Sequence, residues 1–76
     1  MGVEKIHVYM PAEAVDVWRP VAAEHLGGDL YRIVDTPPLG EVWQFNQGDI
    51  VRCRARRLSG DGGRLTDCLV AFEKSN

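Results

Sequence analysis

Few of the residues that build catalytic and metal sites occur in this chain of 76 residues. It has two cysteines without CxxC spacing, two histidines that are not spaced for a zinc site, and two serines. No Ser/His/Asp set stands out. The run Gly60-Asp61-Gly62-Gly63 lacks the Lys-Ser/Thr pair that follows a phosphate-binding loop. The sequence therefore contains no argument for catalysis, a metal or a cofactor.

Long hydrophobic runs and a secretory N-terminus are also missing. No run approaches the ~20 apolar residues of a membrane helix, and no basic stretch precedes an apolar one. Small secreted scaffolds normally contain more than two cysteines. We therefore expect one domain over residues 1–76, in the cytoplasm and without membrane association.

Acidic residues are in slight excess, but the two signs of charge are unevenly distributed. Residues 1–49 have a net charge of −5, and residues 50–76 have one of +3. Two such halves can neutralise each other across paired strands, or the basic half can present a patch to an anion. The sequence pI of about 5.5 favours neutralisation, because nucleic-acid-binding proteins are usually basic.

Alternation of apolar and polar residues with period two predicts strands along most of the chain. Pro20 argues against a long helix around it, although a short helix over residues 21–26 stays open as an alternative. Turn-forming residues separate the segments, most clearly at residues 27–29 and 59–63. The predicted strands are Lys5–Met10, Val15–Leu26, Leu30–Val34, Glu41–Phe45, Ile50–Leu58 and Leu65–Glu73.

Strands of this number and length, with no long helix, indicate an all-β fold. Closure into a small barrel of five to six antiparallel strands removes the exposed strand edges. The inward-facing residues predict the core: Ile6, Val8, Val17, Val21, Tyr31, Ile33, Trp43, Phe45, Val51, Cys53, Val70 and Phe72.

The last hairpin has a predicted register. A turn about Gly60-Asp61 places Cys53 opposite Cys68 and Arg54 opposite Asp67, which pairs apolar with apolar and cation with anion. Directly opposed cysteines lie slightly too far apart for a relaxed disulfide. We expect both thiols to be reduced and to act as small core residues.

Three arginines recur at every second residue: Arg52, Arg54 and Arg56. On a strand they stand ~6.6–7 Å apart on one face, a spacing that suits guanidinium contacts to an extended phosphate backbone. Arg57 and Arg64 widen the patch. The alternative is a solvated face that acidic residues on neighbouring strands balance.

Trp18 and Tyr9 are the outward-facing aromatic candidates, and they are not obviously beside the arginine row. With Ile50 and Leu69 they indicate an apolar outer surface, and such surfaces on a small domain are typical of an interface. The alternative is that these side chains fill the open mouths of the barrel.

Several segments resemble small uncharacterised bacterial proteins with the pattern VWRPV…YRI…WxFxxGDxVRC. The matching residues here are Val17–Val21, Tyr31–Ile33, Trp43–Phe45 and Gly48–Cys53, and the likeness covers most of the chain. Such proteins look like SH3-type barrels, and some are similar to products of mobile gene cassettes. The resemblance implies an SH3-like barrel and no particular activity.

Three functions follow from these patterns. The first is a binding or interaction module that self-associates into a homo-oligomer, with Trp18 and Tyr9 at its binding surface. The alternative is a polyanion or nucleic-acid partner for the arginine row, which the acidic pI makes less favoured. The third is a small enzyme whose composite site at an oligomer axis is built from Trp18, Tyr9 and His7.

Overall fold

A computed structural model of the chain describes residues 2–14, 17–59 and 65–75, and its secondary structure is five β-strands. They are β1 (Val3–Tyr9), β2 (Trp18–Gly27), β3 (Leu30–Ile33), β4 (Ile50–Ser59) and β5 (Leu65–Lys74). The short helix considered for residues 21–26 is wrong, because these residues belong to β2. The described residues include no helix with the length and hydropathy of a membrane span.

The five strands form a closed barrel in chain order, which confirms the small all-β barrel and is consistent with an SH3-like fold. Consecutive strands pair antiparallel. The closing contact differs from the prediction because β1 and β5 pair parallel, at His7 and Val70. Closure brings the outward residues of β1 and β2 next to those of β4 and β5.

Pro20 is tolerated in the middle of β2 because of where β3 begins to pair. β2 pairs with β1 from Trp18 onward, with Pro20 opposite His7. Its pairing with β3 begins only at Ala23. Pro20 thus lies in an edge-like part of the strand, where a residue without an N–H does not interrupt a second ladder.

The core is largely the predicted one, with Ile6, Val8, Val21, Ile33 and Val51 almost fully buried. Tyr31, Trp43, Phe45 and Cys53 are buried in one cluster, and Val70, which is 1% exposed, completes the confirmed set. Period two also places Met10, Ala23 and Ala71 in this cluster, residues that the prediction omitted. Two assignments were wrong: Val17 is only partly buried against the cluster, and Phe72 is 37% exposed.

The predicted strand at Glu41–Phe45 is wrong, because residues 34–49 form an irregular connection. Trp43 and Phe45 are nevertheless buried, whereas Val42, which precedes Trp43, is 53% exposed. The connection is held by single contacts and not by a ladder: the Gln44 N–H donates to the Tyr9 carbonyl at 2.8 Å. The alternation therefore reports which side chains pack on the core, not a paired strand.

The predicted register of the last hairpin is also wrong. Cys53 lies opposite Ala71, and Cys68 lies opposite Arg56, a shift of three residues. The same shift removes the predicted pairing of Arg54 with Asp67. The expected turn at residues 59–63 lies outside the described residues, apart from Ser59, the final residue of β4.

A β-bulge adds one further residue to this shift on the other side of Cys53. Arg52 pairs with Glu73, but the next residue, Cys53, pairs with Ala71. Phe72 is therefore the extra residue on β5, and a bulge redirects the side chain at that position. Phe72 lies at the surface and not in the core because Ala71 beside it faces inward opposite Cys53, and side chains alternate along a strand.

Candidate functional site

The arginine row lies on the outward face of β4, where Arg52, Arg54 and Arg56 are all exposed. Arg52 differs from the other two in its neighbours. Its guanidinium lies 3.3 Å from Asp29 Oδ1 and 3.7 Å from Glu73 Oε1. The positive charge of Arg52 is thus balanced by two carboxylates, as the solvated-face alternative expects.

Arg54 and Arg56 lie over aromatic rings instead. Arg54 Cζ is 4.8 Å from the centroid of the Phe72 ring, and Arg56 Cζ is 5.2 Å from that of Trp18. Both distances are within the range of a cation–π interaction. Each ring restricts the movement of its guanidinium, and because the ring is uncharged, the guanidinium keeps its full positive charge.

Trp18 reaches Arg56 because of the hairpin between β1 and β2. Trp18 pairs with Tyr9 across that hairpin, and the two ring centroids lie 5.3 Å apart at 55°. The Met10 N–H donates to the Val17 carbonyl at 2.9 Å and holds the strand ends together. A tilted pair of this kind adds stabilisation beyond its buried area.

These side chains border an open groove of about 290 Å³, which we call the aromatic–arginine groove. It is lined by Tyr9, Trp18, Gln44, Arg54, Arg56, Val70, Ala71 and Phe72. Val70 belongs to its floor: it lies opposite Arg54 on the outward face, yet is only 1% exposed. The volume is near the lower limit for small-molecule sites.

The charge of this groove is positive. None of the described residues that line it is acidic. Within residues 2–14, 17–59 and 65–75, no carboxylate oxygen lies within 4.0 Å of either guanidinium. The other arginines of the described chain each face a carboxylate: Arg19 faces Glu41, Arg32 faces Glu24, Arg52 faces Asp29 and Arg57 faces Asp67.

Four of the five predicted binding residues therefore lie together: Tyr9, Trp18, Arg54 and Arg56. Arg52 does not line the groove. The expectation that the aromatic side chains stand apart from the arginine row was wrong, because barrel closure brings β1 and β2 against β5. Leu69, predicted to face outward, packs against the core.

Sequence reasoning did not name four of the groove residues: Gln44, Val70, Ala71 and Phe72. Val70 and Phe72 were both assigned to the core, yet both line the groove. The bulge at Phe72 depends on how β4 and β5 pair, and no local pattern announces it. Val70 lies opposite Arg54 in the observed register, so the two side chains share the outward face of the β4–β5 pair. The sequence could have placed Val70 on this face only if the register had been known.

His7 stands beside the groove and does not line it. It pairs with Pro20 on β2 and with Val70 on β5, and it is half-buried. Its Nδ1 is buried and has no hydrogen-bond partner within the part of the chain that the structure describes. Burial lowers the pKa of the imidazole and the Lys5 charge lowers it further, while a hydrogen bond with the Leu69 backbone opposes them.

The two cysteines lie on opposite faces of the β4–β5 pair, and neither forms a disulfide. Cys53 is buried in the core, and this burial, aided by the charge of Asp29, raises the pKa of its thiol to about 12. Cys68 is half-buried, opposite Arg56. No group of three His, Cys, Asp or Glu suited to a metal occurs among the described residues.

A second depression, of about 350 Å³, lies between β1, β2 and the connection that follows β3. Its lining includes Glu4, Lys5 and Asp35. The Ala22 N–H donates to Asp35 Oδ2 at 2.7 Å, so this carboxylate already holds the backbone of β2. Charges of both signs and a structural role for Asp35 make this depression a weaker candidate.

A comparison of the chain with family models, with curated proteins and with solved structures finds no match in any of the three.

Proposed function

We propose that this chain is a small binding module that holds an anionic ligand in the aromatic–arginine groove. The observation that supports this most is the environment of Arg54 and Arg56, which lie over rings and face no carboxylate among the described residues. Arg52 differs, because two carboxylates lie within 4.0 Å of its guanidinium. Two unbalanced guanidiniums on one strand form a site for an anion.

The rings prepare these arginines for binding. A free arginine side chain loses rotamer freedom when it contacts a ligand, and that loss weakens binding. Arg54 over Phe72 and Arg56 over Trp18 have part of that freedom removed beforehand. A guanidinium has five N–H donors and no acceptor, so a ring on one side leaves donors for phosphate or carboxylate oxygens.

The test is a titration of the 15N-labelled protein with tripolyphosphate at low salt, followed by NMR. We expect the largest shifts at the Trp18 indole and at the Nε–H groups of Arg54 and Arg56. The Trp43 indole is the internal reference, because it is buried and donates to Glu41 at 3.0 Å. Shifts centred on Arg57 and Lys74, or no shifts at all, would contradict the proposal.

Self-association is the second candidate, and a separate surface supports it. The irregular connection presents Val34, Leu39 and Val42 to solvent, with Leu39 fully exposed. Apolar side chains of this size are a typical anchor for a symmetric homodimer. We include this homo-oligomer, and a cytoplasmic location in keeping with two free thiols, in the proposal.

Light scattering tests the homo-oligomer. The wild-type chain should have the mass of a dimer or larger at micromolar concentration, and the variant Leu39→Ser/Val42→Ser should approach a monomer. A matched control is Val3→Ser, which changes an exposed valine on β1. A wild-type monomer over the whole concentration range contradicts self-association and leaves the anion-binding proposal standing.

A further inference from the structure

We infer that the ligand of the aromatic–arginine groove is single-stranded nucleic acid, bound over about two nucleotides. This inference rests on the proposed anion-binding function and names its ligand class. It comes from a feature beyond the positive charge alone: each guanidinium is accompanied by its own aromatic ring.

The combination of a guanidinium with an aromatic ring occurs twice in the groove. Arg56 is associated with Trp18 and its partner Tyr9, and Arg54 is associated with Phe72. The two arginines alternate along β4, which sets their Cα atoms ~6.6–7 Å apart. A ligand that matches this surface must present an anion and a flat group in each successive unit.

Single-stranded nucleic acid has this composition, with one phosphate and one base in every nucleotide. Bases stack on aromatic side chains and on guanidinium planes. A sulfated polysaccharide offers charges without flat rings, and a phosphopeptide concentrates its charge on one phosphate group. Duplex DNA keeps its bases stacked inside, so it cannot offer them to Phe72 or Trp18.

The accessible parts of the groove fit such a ligand. Phe72 is 37% exposed, and both Arg54 and Arg56 are exposed. The floor at Val70, and a lining without acidic side chains among the described residues, permit close approach of a base and its phosphate. The volume of about 290 Å³ limits the contact to a short stretch of the strand.

The net charge of −2 sets the expected strength of binding. A chain with an acidic surface elsewhere repels a long polyanion, so affinity should be weak and confined to the groove. Two phosphate contacts on a single strand give a slope of log affinity against log salt of about −1.4. A slope steeper than about −3 would assign binding to a broader basic surface and overturn the inference.

The experiment compares three probes by fluorescence anisotropy at low salt. They are an oligothymidylate of about eight nucleotides, an abasic phosphodiester strand of the same length, and a phosphoserine peptide. We expect oligothymidylate to bind at least about tenfold more tightly than the abasic strand, because stacking adds to phosphate contact. The peptide should bind no better than the abasic strand.

Two variants separate the rings from the charge. Phe72→Leu and Trp18→Leu keep an apolar side chain and remove the ring. Each should reduce affinity for oligothymidylate about tenfold. Affinity for the abasic strand should fall by a smaller factor, because that strand loses only the restraint on the guanidinium and not the stacking. Phe72 is partly exposed at a bulge, so Phe72→Leu should retain the native circular dichroism spectrum even where Trp18→Leu perturbs folding.

Failure of the inference is distinguishable from failure of the proposed function. Equal binding of oligothymidylate and the abasic strand, or tighter binding of the phosphopeptide, overturns the nucleic-acid assignment while the anion site stands. No binding of any of the three probes at low salt overturns both.

Discussion

The two ends of the arginine row on β4 show how similar residues acquire different surroundings. Arg52 lies between Asp29, which follows β2, and Glu73 on β5. Two residues further along, Arg54 lies over Phe72, and Arg56 lies over Trp18. The three arginines occupy alternate positions on the same face of β4. The difference in their surroundings therefore comes from the neighbouring strands and not from β4.

The neighbours differ for two reasons that act at a distance. The bulge on β5 makes Phe72 the extra residue between the partners of Arg52 and Cys53. Closure of the barrel sets the Tyr9–Trp18 pair beside the far end of β4. One end of the row is therefore a pair of surface ion pairs, and the other is a cationic groove with aromatic walls.

The largest effect that we predict concerns the register of β4 and β5. Cys53 faces the core with a thiol pKa of about 12, so at pH 8 its thiolate fraction is roughly three orders of magnitude lower than that of an ordinary thiol. Ellman's reagent should label Cys68 in the native protein and Cys53 only after denaturation. The variant Cys68→Ser should show almost no rapid labelling.

An oxidant gives the complementary result. Cys53 lies opposite Ala71 and not opposite Cys68, so copper phenanthroline should produce no intramolecular disulfide in the native state. Rapid formation of that disulfide would restore the register predicted from the sequence and remove the basis for the Phe72 bulge.

The next effect concerns the floor of the groove. Val70→Ala should lower the free energy of unfolding by about 2 kcal/mol, because it removes apolar atoms that are almost fully buried. Val42→Ala, at an exposed valine, is the matched control and should change it by less than about 0.5 kcal/mol. If urea denaturation gave the same loss of unfolding free energy for both variants, the side chain of Val70 would not be buried as the structure shows.

A smaller effect separates the two kinds of arginine. Arg52→Gln should cost up to about 1 kcal/mol at low salt, and this cost should vanish near 1 M salt because exposed ion pairs are screened. Arg54→Gln should cost about 0.5 kcal/mol through its contact with Phe72, with less dependence on salt. The same salt dependence for both variants would contradict the distinction.

The smallest effect is the pH dependence of His7. Because burial lowers the pKa of His7 in the folded protein, the unfolded chain binds more protons just below its usual value of about 6.5. Stability should be fully present above this pH and fall as the pH decreases below it. His7→Gln should flatten that part of the profile in urea denaturation, and an unchanged profile would contradict the burial of His7.

Much of the barrel was predictable because strands have a local signature. The alternation along Lys5–Met10 and Ile50–Leu58 identified β1 and β4 and most of the core. At Glu41–Phe45 the same alternation misled, since Trp43 and Phe45 pack on the core from a connection without a ladder. A pattern of burial does not reveal whether the backbone has a pairing partner.

The sequence predicted most of the residues of the candidate site, but it did not predict how they lie relative to one another. Tyr9, Trp18, Arg54 and Arg56 stood out by type and parity, but their proximity depends on closure between β1 and β5. The outward position of Phe72 depends on how β4 and β5 pair. The absence of Arg52 from the groove lining is accompanied by its contact with Asp29, which lies 23 residues away in the chain. Such long-range relations have no counterpart in a local sequence pattern.

The central claim is that anion binding follows from the surroundings of two arginines and not from the net charge. The most direct measurement compares Arg54→Gln/Arg56→Gln with Arg52→Gln/Arg57→Gln, since each double variant removes two positive charges from β4. By isothermal titration with tripolyphosphate at low salt, the first should lose at least about tenfold in affinity, and the second should stay within about threefold of wild type. Equal losses in the two variants would contradict the account.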